Sequence, residues 1–261
     1  MYLEEDNYLK NDKNKYLRMG VFSTIGDRDE QQDSAGYFIS DDTALIVVCD
    51  GMGGQKDGKR ASKYAVETAL EQHESSSNSN QLIDTVNSID KEINSWEDEE
   101  GQPLRSGTTL ALVLINKGEL NWVSVGDSRI YLYRSGELVQ ITTDHNYEIA
   151  LEENHDAGLI SDEFYQREKD NSNDLISFLG VGGLPLIDSN SSPFPLKKND
   201  RIVIMTDGVY KNIDDSSICK CVQNFKNPDD SLRALEYMVK KSADDNRVVR
   251  DNMTAAIVVI K

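Results

Sequence analysis

Three apolar runs in this chain end the same way. Residues 43–50 read Thr-Ala-Leu-Ile-Val-Val-Cys-Asp, 121–127 read Asn-Trp-Val-Ser-Val-Gly-Asp, and 201–207 read Arg-Ile-Val-Ile-Met-Thr-Asp. Each is short, β-branched and followed by Gly51, Ser128 or Gly208, which predicts a strand that delivers an aspartate into a turn. A fourth aspartate, Asp251, stands just before the apolar run 253–260. Each Asp-Gly taken alone is an ordinary tight-turn dipeptide. Strand ends of one sheet system lie side by side, however, and carboxylates gathered there cannot all stay ionised unless a cation is present. Carboxylates with a backbone carbonyl are hard oxygen donors, suited to Mg or Mn rather than Zn.

Further strand-like runs cover 17–24, 33–39, 108–115, 120–125 and 130–133. Helical period appears between them. Ala61, Ala65, Thr68 and Ala69 share one face of 59–70, and Leu82, Val86, Ile89, Ile93 and Trp96 recur at three- and four-residue steps. A late helix is expected over 228–242. Short turns between adjacent runs, as in 119–134, argue for antiparallel pairs with grouped helices, hence an α+β class rather than a doubly wound sheet. The polar, acidic stretch 146–183 reads as a surface flap with one or two short helices, in the position of a lid. Residues 75–80 and 97–100 read as exposed loops, and residues 1–15 as a flexible tail preceding a single domain over 16–261.

With 28 Lys and Arg against 46 Asp and Glu, the net charge is −18. Such a field repels phosphate backbones and anionic headgroups, so neither nucleic acid nor a membrane surface is an expected partner. An anionic substrate therefore needs local cations. Arg28, five residues before Asp33 in Gly-Asp-Arg-Asp-Glu-Gln-Gln-Asp, is the candidate fork for a phosphate. In Asp50-Gly51-Met52-Gly53-Gly54 the missing side chains let a backbone carbonyl approach a ligand closely. The three cysteines, with Cys49 inside an apolar run, and the lack of a signal pattern suit a reducing, cytoplasmic setting. Cys219 and Cys221 read as helix packing, and His73 as a surface residue.

Arg28-x-x-Gln-Gln-Asp33-Ser, Asp50-Gly51-Met-Gly-Gly, Gly58-x-x-Ala61-Ser62, Ser106-Gly-Thr-Thr109, Gly126-Asp127-Ser-Arg129, Asp144-His145, Thr206-Asp207-Gly208 and Asp251-Asn252-x-Thr254 follow one another in that order. The series resembles the motifs of the metal-dependent serine/threonine protein phosphatases of type 2C, in their bacterial form. The resemblance implies a four-layer α-β-β-α sandwich, two packed antiparallel sheets flanked by helix pairs, with two Mn2+ or Mg2+ ions at one end. By motif, Asp50 bridges both ions, the Gly51 carbonyl ligates one, and Asp207 and Asp251 hold the other. Asp33 and Gln32 contact the ions through water, Asp127 with Asp207 holds a third, weaker ion, and Arg28 clamps the phosphate.

That reading implies hydrolysis of phosphoserine and phosphothreonine in proteins by a hydroxide bridging the two ions, in opposition to a serine/threonine kinase. A water shared by two divalent ions is acidic enough to serve as that hydroxide. Two departures stand out. Gln31-Gln32 replaces a pair whose second residue is usually Glu, and Met52 stands where some relatives carry a histidine acid. His145 is expected to be structural. Two rival readings remain: a phosphate loop in Gly53-Gly-Gln-Lys-Asp-Gly58-Lys59-Arg60, where Arg60 takes the place of the needed hydroxyl, and a catalytically weak phosphoprotein-binding module.

Overall fold

Alternation sets the layers. Within Thr43–Met52, Ala44, Ile46 and Val48 belong to one packed cluster and Leu45, Val47 and Cys49 to another, and all six are fully buried. A strand buried on both faces needs a packed layer on each side. The computed structural model, which describes residues 1–3, 7–52, 56–75, 81–169 and 174–261, supplies both.

The chain opens with strands β1 (Tyr2–Leu3), β2 (Asn7–Lys13), β3 (Leu17–Thr24), β4 (Asp33–Ile39) and β5 (Thr43–Met52), then helices α1 (Lys56–Ser75) and α2 (Gln81–Asn94). Strands β6 (Gly107–Thr108), β7 (Leu110–Asn116), β8 (Glu119–Val125), β9 (Arg129–Arg134) and β10 (Glu137–Gln140) follow. Helices α3 (Tyr147–Asp156) and α4 (Asp162–Glu168) precede the short strands β11 (Asp188–Ser189) and β12 (Phe194–Pro195). The chain closes with β13 (Arg201–Met205), α5 (Asp207–Tyr210), α6 (Asp215–Asn224), α7 (Pro228–Asn246) and β14 (Met253–Ile260).

One sheet runs β1-β4-β5-β7-β8-β11, with β6 on β5 and β12 on β8; the other runs β10-β9-β13-β14-β3-β2. The pairings are antiparallel throughout. Met19, Ile46, Val113, Ile204 and Val258 fill the space between the sheets. Leu45 and Leu112 pack outward on Ala65, Val86 and Ile89 of the first helix pair, and Val203 and Ile257 pack outward on Ile218, Leu232 and Val239 of the second. The expected four layers are present. Among the described residues no helix is long and apolar enough to cross a membrane.

The structure differs from the sequence reading in several places. Residues 7–13 are not a loose tail: β2 pairs along its length with β3, from Asn7 opposite Thr24 to Lys13 opposite Arg18, and β1 pairs with β4. Leu3 and Tyr8 join the core between the sheets. The strand hides in the sequence because it lies at a sheet edge, where only Tyr8 of its seven residues is buried and the charges guard against edge pairing. The run 108–115 breaks at Thr109, which turns to bond Asp50. β10 and α5, of four residues each, are too short to be read in advance, whereas α6 carries the helix packing expected around Cys219 and Cys221, with Ile218, Cys221 and Val222 buried. His73 is buried, edge-on to Phe38 with ring centroids 5.5 Å apart. Cys49 is buried as expected, and Ser75 closes α1, while 76–80 lie outside the described residues.

Removal of residues 1–13 will therefore destabilise the chain, by about 3 kcal/mol from the lost burial of Leu3 and Tyr8 alone. Native-state hydrogen exchange should show β3 amides losing protection. An unchanged melting temperature and unchanged exchange would restore the tail reading.

Candidate active site

Two sheets deliver their acidic ends to the same place. Asp33 opens β4 and Asp50 lies near the end of β5, and the two are direct cross-strand partners. Asp127 sits in the turn between β8 and β9, at the same edge of that sheet. From the other sheet, Asp207 starts α5 directly after β13, and Asp251 precedes β14. The Thr206 N–H donates to the Thr254 carbonyl at 3.0 Å, which holds those two segments in register. The sheets are then tied together: Thr206 Oγ1 donates to Asp33 Oδ2 at 2.9 Å, and the Gln32 N–H donates to Asn252 Oδ1 at 2.8 Å. The sequence-predicted residues are thus brought to one end of the sandwich.

Each remaining motif block has a visible task there. Thr109 grips the Asp50 backbone from both sides: its N–H donates to the Asp50 carbonyl and its Oγ1 accepts the Asp50 N–H, each at 2.9 Å. Thr109 Oγ1 also meets Ser128 Oγ at 2.7 Å, linking the turns of Asp50 and Asp127. Ser34 and Ser62 hydroxyls pair at 2.8 Å, joining β4 to α1. Arg129 forks onto Asp144 through Nε and Nη2, and its guanidinium stacks 3.7 Å from the centre of the Tyr210 ring. His145 Nδ1 accepts the Gly126 N–H at 3.2 Å, and burial lowers its pKa, so the ring is a neutral structural acceptor.

Two glycines are required by close approach. A Cβ on Gly51 would lie 2.2 Å from the Gly58 carbonyl and 2.6 Å from that of Gln32, and one on Gly208 would lie 2.0 Å from the Asn252 carbonyl. Gly58 and Lys59 lie in the first turn of α1, and Arg60, which stands where the rival phosphate loop needs a hydroxyl, stacks 3.9 Å from the centre of the Trp96 ring. Gly53 and Gly54 fall outside the described residues.

The electrostatics call for positive charge. Burial first, then the charges of Asp33, Asp207 and Asp127, push the Asp50 carboxyl well above the usual carboxylate range. Burial, reinforced by Asp207 and Asp251, raises Asp33 to about 7, and its buried Oδ1 meets no hydrogen-bond donor among the described residues. Asp127 is raised too, by burial and then by Asp207. Carboxylates of Asp50, Asp207 and Asp251 with the Gly51 carbonyl would supply an all-oxygen donor set, of the chemistry that suits Mg2+ or Mn2+. Among the described residues, no three acidic, histidine or cysteine side chains are already drawn around one point. The chain's own cations hold two of the candidates instead: Arg28 Nη2 bonds Asp251 Oδ2 at 2.6 Å, and Lys211 Nζ bonds Asp207 Oδ2 at 2.8 Å.

Arg28 is exposed at the rim, and the Gln32 amide donates to Glu30 Oε2 at 3.3 Å. Three residues of consequence were not singled out as site residues. Thr206 and Asn252 bridge the sheets, and Lys211 reaches two aspartates. The only advance sign of Lys211 was its four-residue spacing from Asp207.

Comparison with known proteins identifies the family and the fold. The family model described as Protein phosphatase 2C matches residues 23–257. The chain is 29% identical over 201 residues to the serine/threonine phosphatase stp of Listeria monocytogenes, covering 73% of this chain and 77% of that one. It is 27% identical over 212 residues to the serine/threonine protein phosphatase PstP of Mycobacterium tuberculosis, covering 78% of this chain and 39% of that one. Among solved structures, the S. agalactiae serine/threonine phosphatase superposes with a TM-score of 0.76 at 23% identity, covering 97% of this chain and 100% of that one. The PstP catalytic domain in complex with two manganese ions superposes with a TM-score of 0.72 at 24% identity, covering 94% and 98%.

The raised Asp33 carboxyl has a consequence for stability. Between the ordinary value of 3.8 and about 7, the folded chain keeps a proton that the unfolded chain has released, so this group's contribution to stability falls as pH rises through that window. Asp33→Asn cannot ionise. In chelator, scanning calorimetry should show the variant melting with wild type near about pH 4 and increasingly above it toward about pH 8. Melting curves that run parallel across that range would refute the account.

Proposed function

From the premise that this chain belongs to the protein phosphatase 2C family and is a metal-dependent serine/threonine protein phosphatase, we propose that the acidic end of the sandwich is its catalytic centre. The observation that carries this is the meeting of Asp33, Asp50, Asp127, Asp207 and Asp251 from two sheets around a seam closed by Thr206 and Asn252. Asp50, the Gly51 carbonyl, Asp207 and Asp251 would hold two divalent ions, Mn2+ or Mg2+. Bound there, the ions supply Lewis acidity toward the phosphoryl oxygens and an acidified water as nucleophile.

The protein's own residues do the rest. Thr109 fixes the Asp50 backbone, so the carboxylate is presented without reorganisation. Asp33, held by Thr206, and Gln32 stand beside the ligands to orient water. Arg28 bonds through a single nitrogen to Asp251, which leaves guanidinium donors for the substrate's phosphoryl oxygens. Met52 has no proton to give, so the departing serine or threonine oxygen takes its proton from water.

The flap sits at this centre by its feet. His145 bonds Gly126 at one end, and Leu179 exchanges N–H···O bonds with Thr108, the partner of Gly51, at the other. On α3 and α4, Glu152, Glu153, Asp156, Asp162 and Glu163 are exposed. Such a surface suits basic sequence around the phosphosite. The corresponding biological role is opposition to a serine/threonine kinase acting on shared targets, in the cytoplasm.

Hydrolysis of p-nitrophenyl phosphate and a phosphothreonine peptide should require Mn2+ or Mg2+, stop in chelator, and fall at least about 100-fold in Asp207→Ala. Arg28→Ala should raise KM about tenfold or more with a smaller change in kcat. A metal-loaded wild type without activity would move the reading to the phosphoprotein-binding module. Phosphopeptides flanked by Arg and Lys should be hydrolysed several-fold faster than neutral ones at low salt, and an equal rate would refute the flap assignment.

A further inference from the structure

Lys211 directly follows α5, and its backbone N–H donates to the Asp207 carbonyl at 3.0 Å. Its Nζ lies 2.8 Å from Asp207 Oδ2 and 3.6 Å from Asp127 Oδ2. Asp207 follows β13, and Asp127 lies in the turn where the chain crosses from β8 of one sheet to β9 of the other, so one ammonium bridges two separate segments at the open end of the sandwich. Both acids are well shielded, with side-chain exposures of 24% for Asp207 and 9% for Asp127, against 43% for Lys211. The placement is built rather than incidental. The neighbouring Tyr210 hydroxyl donates to the Asp127 carbonyl at 3.0 Å, and the Arg129 guanidinium covers the Tyr210 ring. The segment that carries Lys211 is therefore bolted to the turn that carries Asp127.

We propose that Lys211 is a tethered counter-ion: its ammonium takes the space between Asp127 and Asp207 that a third divalent ion would otherwise occupy, so this chain binds two divalent ions and no third. The inference rests on the reading of Asp50, Gly51, Asp207 and Asp251 as ion ligands. Two close, shielded carboxylates can both stay ionised only with a cation between them. An ammonium offers three donors and one positive charge, enough to neutralise part of the pair without an ion drawn from solution. A divalent ion arriving there would face that charge at contact distance or have to expel it. Asp207 gains a fixed partner on one oxygen and is positioned for the ligand role with the other. Asp127, expected from its motif to hold a weaker third ion, becomes the lysine's partner instead.

The test counts ions. Mn2+ bound per full-length chain is read from the electron paramagnetic resonance of free Mn2+, for wild type, Lys211→Met, Lys211→Arg, Asp127→Asn and the Lys211→Met/Asp127→Asn pair. The expected counts are two for wild type, Lys211→Arg and Asp127→Asn, three for Lys211→Met, and two again for the double variant. In chelator, Lys211→Met should also melt below wild type and Lys211→Arg should not. Three ions on wild type, an ion lost in Asp127→Asn, or two ions on both wild type and Lys211→Met would overturn the proposal. The Asp127→Asn count stands even if Lys211→Met folds poorly. No bound ion on wild type would instead overturn the underlying reading of the carboxylates.

Discussion

Repulsion among carboxylates governs this end of the molecule. Asp33, Asp50 and Asp127 are driven upward in pKa by burial and by one another's neighbours, and only a dense set of neutral donors and cations allows them to share the space. The chain meets that demand in layers. Thr109 and Thr206 hold backbone and side-chain oxygens, while Arg28, Lys211 and Arg129 place positive charge against Asp251, Asp207 and Asp144. In a protein of net charge −18, these cations also make a local refuge for an anionic group that the surface as a whole repels.

The architecture makes that concentration possible. Strands buried on both faces are rigid, because Ile46 and Val48 pack against the opposite sheet while Leu45 and Val47 pack against helices. Their ends inherit that rigidity. The hydrogen bond from Thr206 to Asp33 then links the two sheets at the point where their charges meet, so the sheets cannot spread apart without stripping a donor from a buried carboxylate oxygen. An interaction of ordinary length thus couples the packing of the sandwich to the spacing of its acidic groups.

Much of this was legible in the residue order. The central strands announce themselves because burial on both sides leaves continuous apolar runs, and their terminal aspartates mark the functional end. The motif series located Asp50, Asp127, Asp207 and Asp251 before any geometry was known. What could not be read were features that depend on partners rather than on pattern. β2 is polar because it lies at an edge, and its strand character comes from β3. Lys211 looks like any surface lysine until the turn of Asp127 is brought alongside it. Thr206 sits inside a motif, yet its bond to Asp33 joins residues 173 positions apart.

The stems of the segment 146–183 are each bonded to the scaffold beside the site, through His145 to Gly126 and through Leu179 to Thr108. Near its second stem, the Asp90 carboxylate accepts N–H bonds from Gly180, Gly182 and Gly183 at 2.8, 3.1 and 2.7 Å. A loop pinned at both feet transmits little of its own length to the ground it stands on, and each doubling of such a loop adds only about 0.6 kcal/mol of closure entropy. The span between the feet can therefore be lengthened, shortened or recharged by evolution while the carboxylates stay where they are. If the span carries recognition as proposed, recognition and chemistry are separately heritable, divided at a histidine and a leucine.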